Sequence, residues 1–369
     1  MRVWGITGTN GKTTTTWILA QFLNAAPGRA CGYVTTVEVN TLKRRFYTGY
    51  TTPPCAQLEG IFREMEESGA TDCAMEVSSH AIHQNRTGDT VFAGGAFTNL
   101  SEDHLDYHKT MAEYFRVKLS FAAKIAAQHA SDPEPPPYVV CLDGGYGEEM
   151  RSAASKLRLR VVPVSFRRTA YDLSRLPLVG DYNKSNVLTA AALAEAAGVE
   201  KAVIQGQIPL LTPRWGRLER VPSASAADVY VDFAHTPDGL EKVLAAARGF
   251  TRGRLWVVFG AGGDRDPLKR GPMGAACARG ADRLVITSDN PRSEDPQAIM
   301  DAIVAGVRAA KPDAVYRVEA DRAAAIHLAL AAAEKGDTVL VCGKGHETTQ
   351  EIKGVKIPFD DREVVRGFA

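Results

Sequence analysis

Residues 3–25 constrain the fold more than any other stretch. A short apolar run, Val3-Trp4-Gly5-Ile6, leads into the turn Gly8-Thr9-Asn10-Gly11, and residues 12–25 read as a helix. Strand, glycine-rich turn and helix together form the repeating unit of a parallel sheet covered by helices. Glycines let backbone N–H groups curl around phosphate oxygens, and the helix N-terminus that follows adds a dipole favourable to anions. In that setting Lys12 reaches terminal phosphates, and Thr13, followed by Thr14, can ligate magnesium. The strict phosphate-loop pattern has glycine six residues before the lysine; here that position is Ile6, so the strand-before, helix-after context carries the reading. A purely structural glycine-rich turn is the alternative.

The same alternation continues. Residues 73–77 (CAMEV), 92–97 (FAGGAF) and 138–142 (YVVCL) read as strands, with helical stretches at 54–68 and 110–130 between them. Residues 131–137 (SDPEPPP) form a surface loop, 157–165 are β-like, and 184–198 are helical up to a glycine cap at Gly198. The first domain is expected to end within 205–222, near Pro209 and Pro213. A second α/β unit then begins: strand 228–233, helix 237–248, strand 254–259, helix 271–279, strand 283–287, helices 296–310 and 321–334, strand 337–342. The expected fold class is α/β, with a central P-loop ATPase-like domain (1–215) on a mostly parallel sheet and a C-terminal Rossmann-like domain (216–369).

Composition excludes several classes. Formal net charge is +1 over 369 residues with 24% charged residues, so nothing calls for a nucleic-acid or membrane-surface partner. No apolar run approaches the length of about 18 residues that a spanning helix needs. The N-terminus lacks the apolar segment of about 7–15 residues of a secretion signal. The six cysteines show no CxxC spacing and read as reduced thiols. A cytoplasmic location is expected.

Two segments carry further chemistry. Glu76 closes an apolar strand ahead of Ser78-Ser79-His80, and a carboxylate there can hold a second magnesium beside the phosphate loop; a solvated strand-end acid would look the same. The stretch 99–108 (NLSEDHLDYH) gathers metal-capable groups after another strand. Magnesium prefers oxygen ligands, although a histidine can complete such a site; caps and surface polar residues are the bland reading. Lys118, taken alone, is an ordinary helix lysine.

These residues resemble the Mur ligase family, in the branch that builds UDP-N-acetylmuramoyl-tripeptide. The matching segments are GTNGKTT (8–14), TTP (51–53), MEVSSHA (75–81), FTNLSEDHLDYH (97–108), a Met-x-x-Tyr-x-x-x-Lys pattern (111–118) and GDYNxxN (180–186). They continue with GRLERV (216–221), VDFAHTPDGL (231–240), GAGGDRD (260–266), DNPRSE (289–294) and GKGHE (343–347), in family order over nearly the whole chain. The resemblance implies that ATP phosphorylates a substrate carboxylate, that an amine attacks the acyl phosphate, and that magnesium neutralises the approaching anions.

Carried over position by position, the resemblance assigns ATP contacts to Gly8, Thr9, Asn10, Gly11, Lys12, Thr13, Thr14, Asn183, Asn186, Arg217, Asp232 and His235. It implies catalytic roles for Lys12, Glu76, His104 and Lys118, and metal contacts from Thr13, Glu76, His104 and a carbamylated Lys118, in which an anion replaces the ammonium. Thr51, Thr52, Ser78 and Arg86 match positions that hold the UDP-linked peptide. Taken alone, Thr51-Thr52-Pro53 could be a loop with Pro53 in a first helical turn, and Arg86 a surface arginine. Arg265, Asn290, Arg292, Gly343 and Glu347 match the amino-acid pocket. Asn290 and Arg292 imply meso-diaminopimelate, whose distal carboxylate an arginine can clamp, while Glu347 can pair with an ammonium. Lysine would leave the arginine unpaired.

Family members carry an N-terminal, uridine-gripping domain ahead of the phosphate-loop strand, and the chain begins at that strand. The expectation is an amide ligase for a UDP-muramoyl-dipeptide, with a partner supplying the further domain where it is lacking. A related ligase for another, free peptide or small carboxylic acid and a non-catalytic nucleotide-binding scaffold are the alternatives. Retention of Lys12, Thr13, Glu76, His104 and Lys118 weighs against the scaffold.

Overall fold

The glycine-rich turn sits at the C-terminal end of a central strand. In chain order the first elements are β1 (Arg2–Thr7), α1 (Lys12–Ala25), β2 (Cys31–Val34), β3 (Val39–Asn40), β4 (Arg45–Phe46), α2 (Cys55–Glu67), β5 (Asp72–Glu76) and α3 (Ser79–His83). Then come β6 (Phe92–Phe97), α4 (Leu105–His108), α5 (Met111–Gln128), β7 (Pro137–Cys141), α6 (Gly147–Ala154), β8 (Arg160–Val164), α7 (Asp181–Ala196) and α8 (Lys201–Gln207). The structure is a computed structural model and describes residues 1–213 and 216–368. It divides into two units. One comprises Met1–Ser101 and His108–Thr212; the other comprises Glu102–Tyr107 and the chain from Pro213 onward. The boundary expected at residue 215 and the terminus at 369 lie outside the described residues.

Among the described residues, the sheet of the first unit has the order β4-β3-β2-β5-β1-β6-β7-β8. It is parallel from β2 to β8, and the short β3 and β4 add an antiparallel edge. β5 is buried along its whole length, as expected of a strand covered on both faces. One face packs on Phe92, Phe97, Phe121, Ile125 and Tyr138. The other packs on Trp4, Ile18, Phe22, Val187 and Leu193. At the N-terminal end of β5, Asp72 accepts from the Trp4 indole (2.9 Å) and from Arg29 Nη2 (2.8 Å). Burial alone would raise that carboxyl's pKa; the Trp4, Arg29 and Thr71 donors outweigh it and hold it below the usual range. α2 begins at Cys55 with Pro54 as its cap, so Pro53 lies ahead of the helix rather than in its first turn.

The second unit continues with β9 (Glu219–Arg220), β10 (Asp228–Asp232), α9 (Pro237–Arg248), β11 (Leu255–Phe259), α10 (Arg270–Gly280), β12 (Arg283–Ile286) and α11 (Pro296–Ala310). It closes with β13 (Tyr316–Val318), α12 (Arg322–Ala332), β14 (Thr338–Cys342), β15 (Thr349–Ile352), β16 (Val355–Pro358) and α13 (Asp361–Arg366). Its main sheet has the order β13-β12-β11-β14-β10-β9, parallel except for the β9–β10 pair. β15 and β16 form a separate hairpin. Its turn, Lys353-Gly354, takes positive φ at both residues, 49° and 77°, the signature of a tight two-residue hairpin. No helix among the described residues is long and apolar enough to cross a membrane, and all six cysteines are free.

Candidate functional site

In the first unit the site grows from the C-terminal edge of the parallel strands, where open α/β sheets bind ligands. Gly8 and Gly11 have φ of 149° and 83°. A Cβ on Gly8 would lie 1.9 Å from Thr98 Oγ1, and one on Gly11 would lie 2.3 Å from Asn186 Oδ1, so glycine is required at both. The loop is pinned to the end of β6. Thr9 N–H donates to Asn99 O (2.9 Å), Asn10 N–H to Asn99 Oδ1 (3.0 Å), and Thr98 Oγ1 to Asn10 O (2.6 Å). Gly11 caps α1 without a side-chain hydrogen bond, and Thr13, Thr14, Thr15 and Thr16 of the first turns are buried. Lys12 Nζ folds back onto the carbonyls of Gly8 (2.9 Å) and Thr9 (2.7 Å). A phosphate in the loop would offer that ammonium a better acceptor.

Asn186, on α7, reaches this same turn, and Asn183, one helical turn earlier, backs it. Asn186 Oδ1 accepts from Thr15 Oγ1 (3.3 Å), and its amide donates to Asn183 Oδ1 (3.2 Å). Lys118, on α5, is 1% exposed, and its Nζ donates to Gly8 O (2.9 Å). One helical turn earlier, Tyr114 lies beneath that ammonium, 4.8 Å from ring centre to Nζ, and its hydroxyl is 3.1 Å from Thr9 Oγ1. His108 stacks on Tyr114 and hydrogen-bonds Ser79 (2.9 Å). α5 therefore braces the phosphate loop through two side chains.

Glu76 pairs in register with Ile6 of β1, which puts its carboxylate beside the strand that feeds the loop. It is 1% exposed and accepts from Thr36 N–H (2.8 Å) and Thr36 Oγ1 (3.1 Å). Thr36 in turn contacts Thr51 Oγ1 (3.0 Å). Thr52 Oγ1 donates to Glu76 O (2.9 Å) and accepts from Ser78 N–H (3.0 Å), while Arg86 Nη1 donates to Thr52 O (3.4 Å) and its guanidinium stacks on Tyr50. Thr51, Thr52, Ser78 and Arg86 thus converge on the Glu76 strand end. Thr36, Tyr50, His108 and Tyr114 join the same network. They were not singled out from sequence; Tyr114 and His108 lie inside the matched segments and could have been.

No group of three or more His, Cys, Asp or Glu that could hold a metal occurs among the described residues. Magnesium is commonly held by one or two carboxylates plus substrate phosphates rather than by a protein cage. Thr13 and Glu76, both oxygen donors and both buried, fit it. His104 lies in the segment that groups with the second unit. There it has φ of 57° and takes Asp103 as neighbour, 3.4 Å from Nε2 to Oδ2.

In the second unit Arg217, Asp232 and His235 gather around Phe233. Asp232, at the end of β10, accepts from Leu218 N–H (2.6 Å) and Ala234 N–H (2.7 Å). Burial raises its carboxyl against those donors and Arg217. The Arg217 guanidinium lies 4.8 Å over the Phe233 ring. His235 Nδ1 donates to Phe233 O (2.8 Å), which leaves Nε2 as an acceptor. Burial, reinforced by the Lys269 ammonium, holds that imidazole down at about 4, so the ring is neutral at neutral pH.

A second cluster sits beyond β12 and β14. Asn290 Nδ2 donates to Glu347 Oε2 (2.9 Å), and its Oδ1 accepts from Lys344 Nζ (3.1 Å) and Glu351 N–H (2.9 Å). Arg292 has φ of 51°. Its Nη1 donates to Gly263 O (2.6 Å), its N–H to Glu351 O (3.0 Å), and its Nε lies 3.7 Å from Glu351 Oε2. Gly343 N–H donates to Asp232 O (3.1 Å), which joins this cluster to the one around Phe233. Arg265 is exposed, with Nη1 on Asp264 O (3.0 Å). Lys344 and the β15 residues Gln350 and Glu351 belong to the cluster and were not singled out from sequence.

Comparison with known proteins fixes the class. Residues 6–176 match the Mur ligase middle domain, and residues 216–345 match the Mur ligase, glutamate ligase domain. The chain belongs to the Mur ligase family. It is 41% identical to the UDP-N-acetylmuramoyl-L-alanyl-D-glutamate--2,6-diaminopimelate ligase of Ralstonia nicotianae, over 99% of this chain and 75% of that protein. A solved structure of a ligase of the same name superposes with a TM-score of 0.63 at 30% identity, covering 99% of this chain and 77% of the other. Mycobacterium tuberculosis folylpolyglutamate synthase, solved with ADP and AMPPCP, shares the fold at a TM-score of 0.66 and 19% identity, over 94% of this chain and 89% of that one.

Proposed function

We propose that the chain is an ATP-dependent ligase that adds meso-diaminopimelate to the D-glutamate carboxylate of a UDP-muramoyl-dipeptide, in the cytoplasm. The observation that carries the reading is the hydrogen-bonded Asn290–Arg292–Glu347 cluster of the second unit. It offers a guanidinium for a carboxylate and a carboxylate for an ammonium, and diaminopimelate carries two such heads. The relatives, 41% identical in the example above, bear the activity in their names. Residues 1–215 serve as the central ATP-binding domain and 216–369 as the amino-acid-binding domain. Where a further uridine-gripping domain is needed, a partner can supply it.

In the reaction, a carboxylate oxygen attacks the γ-phosphorus of ATP and ADP leaves. The amine nitrogen then attacks the acyl carbon, the C–O bond to phosphate breaks, and the amine's proton passes to solvent. Gly8 to Thr14 cradle the phosphates, and Lys12 meets the charge that builds on the transferring group. Asn183 and Asn186 face the adenine; Arg217, Asp232 and His235 contact the rest of the nucleotide. Thr51, Thr52, Ser78 and Arg86 hold the peptide substrate. Thr13 and Glu76, with Lys118 in support, would hold magnesium, His104 being the further ligand the family pattern implies, and the ion would supply positive charge against the two anions.

Lys118 acts as a carbamate: its neutral amine adds CO2, a proton is lost, and the buried side chain ends in an anion beside the phosphate loop. Two variants check this. Lys118→Ala should lose activity by about 10–100-fold, the usual effect of removing a supporting group around a metal, and formate or acetate should restore part of it. Lys118→Arg keeps the cation but cannot be carbamylated and should be as impaired as Lys118→Ala. Full activity in Lys118→Arg would rule the carbamate out.

The function itself is tested by crossing meso-diaminopimelate or lysine with UDP-muramoyl-dipeptide or free Ala-Glu, and reading phosphate release and product mass. Product from diaminopimelate and the UDP-linked acid supports the reading. Product only from another acid moves the protein to a different ligase specificity, and ATP binding without any product would make it a scaffold.

A further inference from the structure

We infer that Lys344 is a positioning residue for the incoming amino acid, one that sets the Asn290 amide and the Glu347 carboxylate in the orientation that receives the substrate's charged head. The inference rests on the amino-acid-binding reading of this unit and adds a residue to it. Lys344 is 0% exposed, unusual for a lysine, and it lies between Gly343 and Gly345 just after β14. A buried ammonium needs acceptors on several sides. Two are Asn290 Oδ1 (3.1 Å) and Glu347 Oε2 (3.0 Å), both on residues of the amino-acid cluster.

These bonds decide which way the Asn290 amide points. Its Oδ1 faces two donors, the Lys344 ammonium and the Glu351 N–H (2.9 Å). The flipped amide would set its own N–H groups against both. With Oδ1 so held, Nδ2 is committed to Glu347 Oε2 (2.9 Å). Oε2 therefore takes two donors, while Oε1 accepts no hydrogen bond among the described residues on a side chain that is 34% exposed. One carboxylate oxygen is anchored and the other is presented to ligand.

The frame around Lys344 is tied together by hydrogen bonds. Gln350 Nε2 donates to Asp289 O (2.7 Å), Arg292 N–H to Glu351 O (3.0 Å), and Lys353 N–H to Arg292 O (2.6 Å). β15 and the turn after it thus hold residues 289–292 from one side, and Lys344 holds the Asn290 side chain. Such support decides whether a binding group sits within a few tenths of an ångström of its productive place.

The test uses the full chain, with steady-state constants for diaminopimelate and ATP measured separately. Lys344→Met should raise KM for diaminopimelate about ten- to hundredfold, the effect of losing a charge-assisted hydrogen bond. KM for ATP should stay within about twofold, a split that a general loss of packing would not produce. Glu347→Gln should raise the same KM, and Lys344→Met added to it should change that value by less than about threefold, because the lysine acts through the carboxylate. The double variant buries no unbalanced charge, so it serves where the single variant does not accumulate folded. Equal rises in both KM values, an unchanged diaminopimelate KM, or effects that multiply independently in the double variant would overturn the inference. No diaminopimelate-dependent turnover in the unsubstituted chain would sink the amino-acid reading and the inference together; turnover with a Lys344→Met KM like that of the parent sinks only the inference.

Discussion

Lys12→Met is expected to reduce ATP-dependent ligation by about 10²–10³-fold in kcat, the usual consequence of removing one preorganised donor from a developing charge. The side chain is placed for this. Its ammonium rests on the Gly8 and Thr9 carbonyls at 2.9 and 2.7 Å, contacts a triphosphate would displace. The loop's own shape is set elsewhere, by Thr98, Asn99 and the two positive-φ glycines. Melting temperature should therefore change little while turnover collapses. Single-turnover phosphate release, with melting followed by circular dichroism, separates the two. Loss of folding in parallel with activity would mean that the lysine holds the loop rather than the phosphate.

Asp361→Ala should destabilise the second unit by about 3–5 kcal/mol, the range seen when one partner of a buried pair is removed. Arg322 and Asp361 are 1% and 0% exposed, and the pair is bidentate, Nε to Oδ1 and Nη2 to Oδ2, both at 2.7 Å. Burial by itself would lower the guanidinium's pKa; Asp361 outweighs it and raises that pKa. The same guanidinium donates to Cys342 O (2.9 Å), so it ties α12 and α13 to the strand end that carries Gly343 and Lys344. Removing the aspartate leaves a buried cation without its counter-ion. The double replacement Arg322→Leu with Asp361→Leu should recover most of the loss, because a buried pair is often matched by apolar residues of similar size. Hydrogen exchange across residues 338–342 and urea titration would report both effects. A single-variant loss under about 1 kcal/mol would contradict this account of the pair.

Much of the architecture was legible because local pattern and long-range pairing agreed. A strand ending in Gly8-Thr9-Asn10-Gly11 before a helix has few other solutions, and the α/β alternation after it leads to parallel sheets by the same logic. The antiparallel edge at β3 and β4 was not legible: each has two residues, too short to show a period of two. The β15–β16 hairpin was not legible either: its turn is Lys353-Gly354, which lacks the Asn or Asp that marks such turns in sequence. At the site, residues inside matched segments could be named, but what joins them could not. Thr36 stands 40 positions from Glu76 and Glu351 stands 61 from Asn290, and only the folded register brings them together. Lys344 was in view within GKGHE, yet a lysine in a glycine-rich turn reads as exposed until its burial is seen.

The central claim is that this chain activates a carboxylate with ATP and couples it to diaminopimelate. The most direct measurement supplies UDP-muramoyl-dipeptide with both oxygens of the reacting D-glutamate carboxylate labelled with 18O, together with ATP, magnesium and meso-diaminopimelate, and weighs the products. The expected result is one 18O in the released phosphate, one retained in the new amide, and a product heavier than the labelled acid by diaminopimelate less one H2 18O. Unlabelled phosphate, or labelled phosphate formed equally well without diaminopimelate and with no amide product, would contradict it.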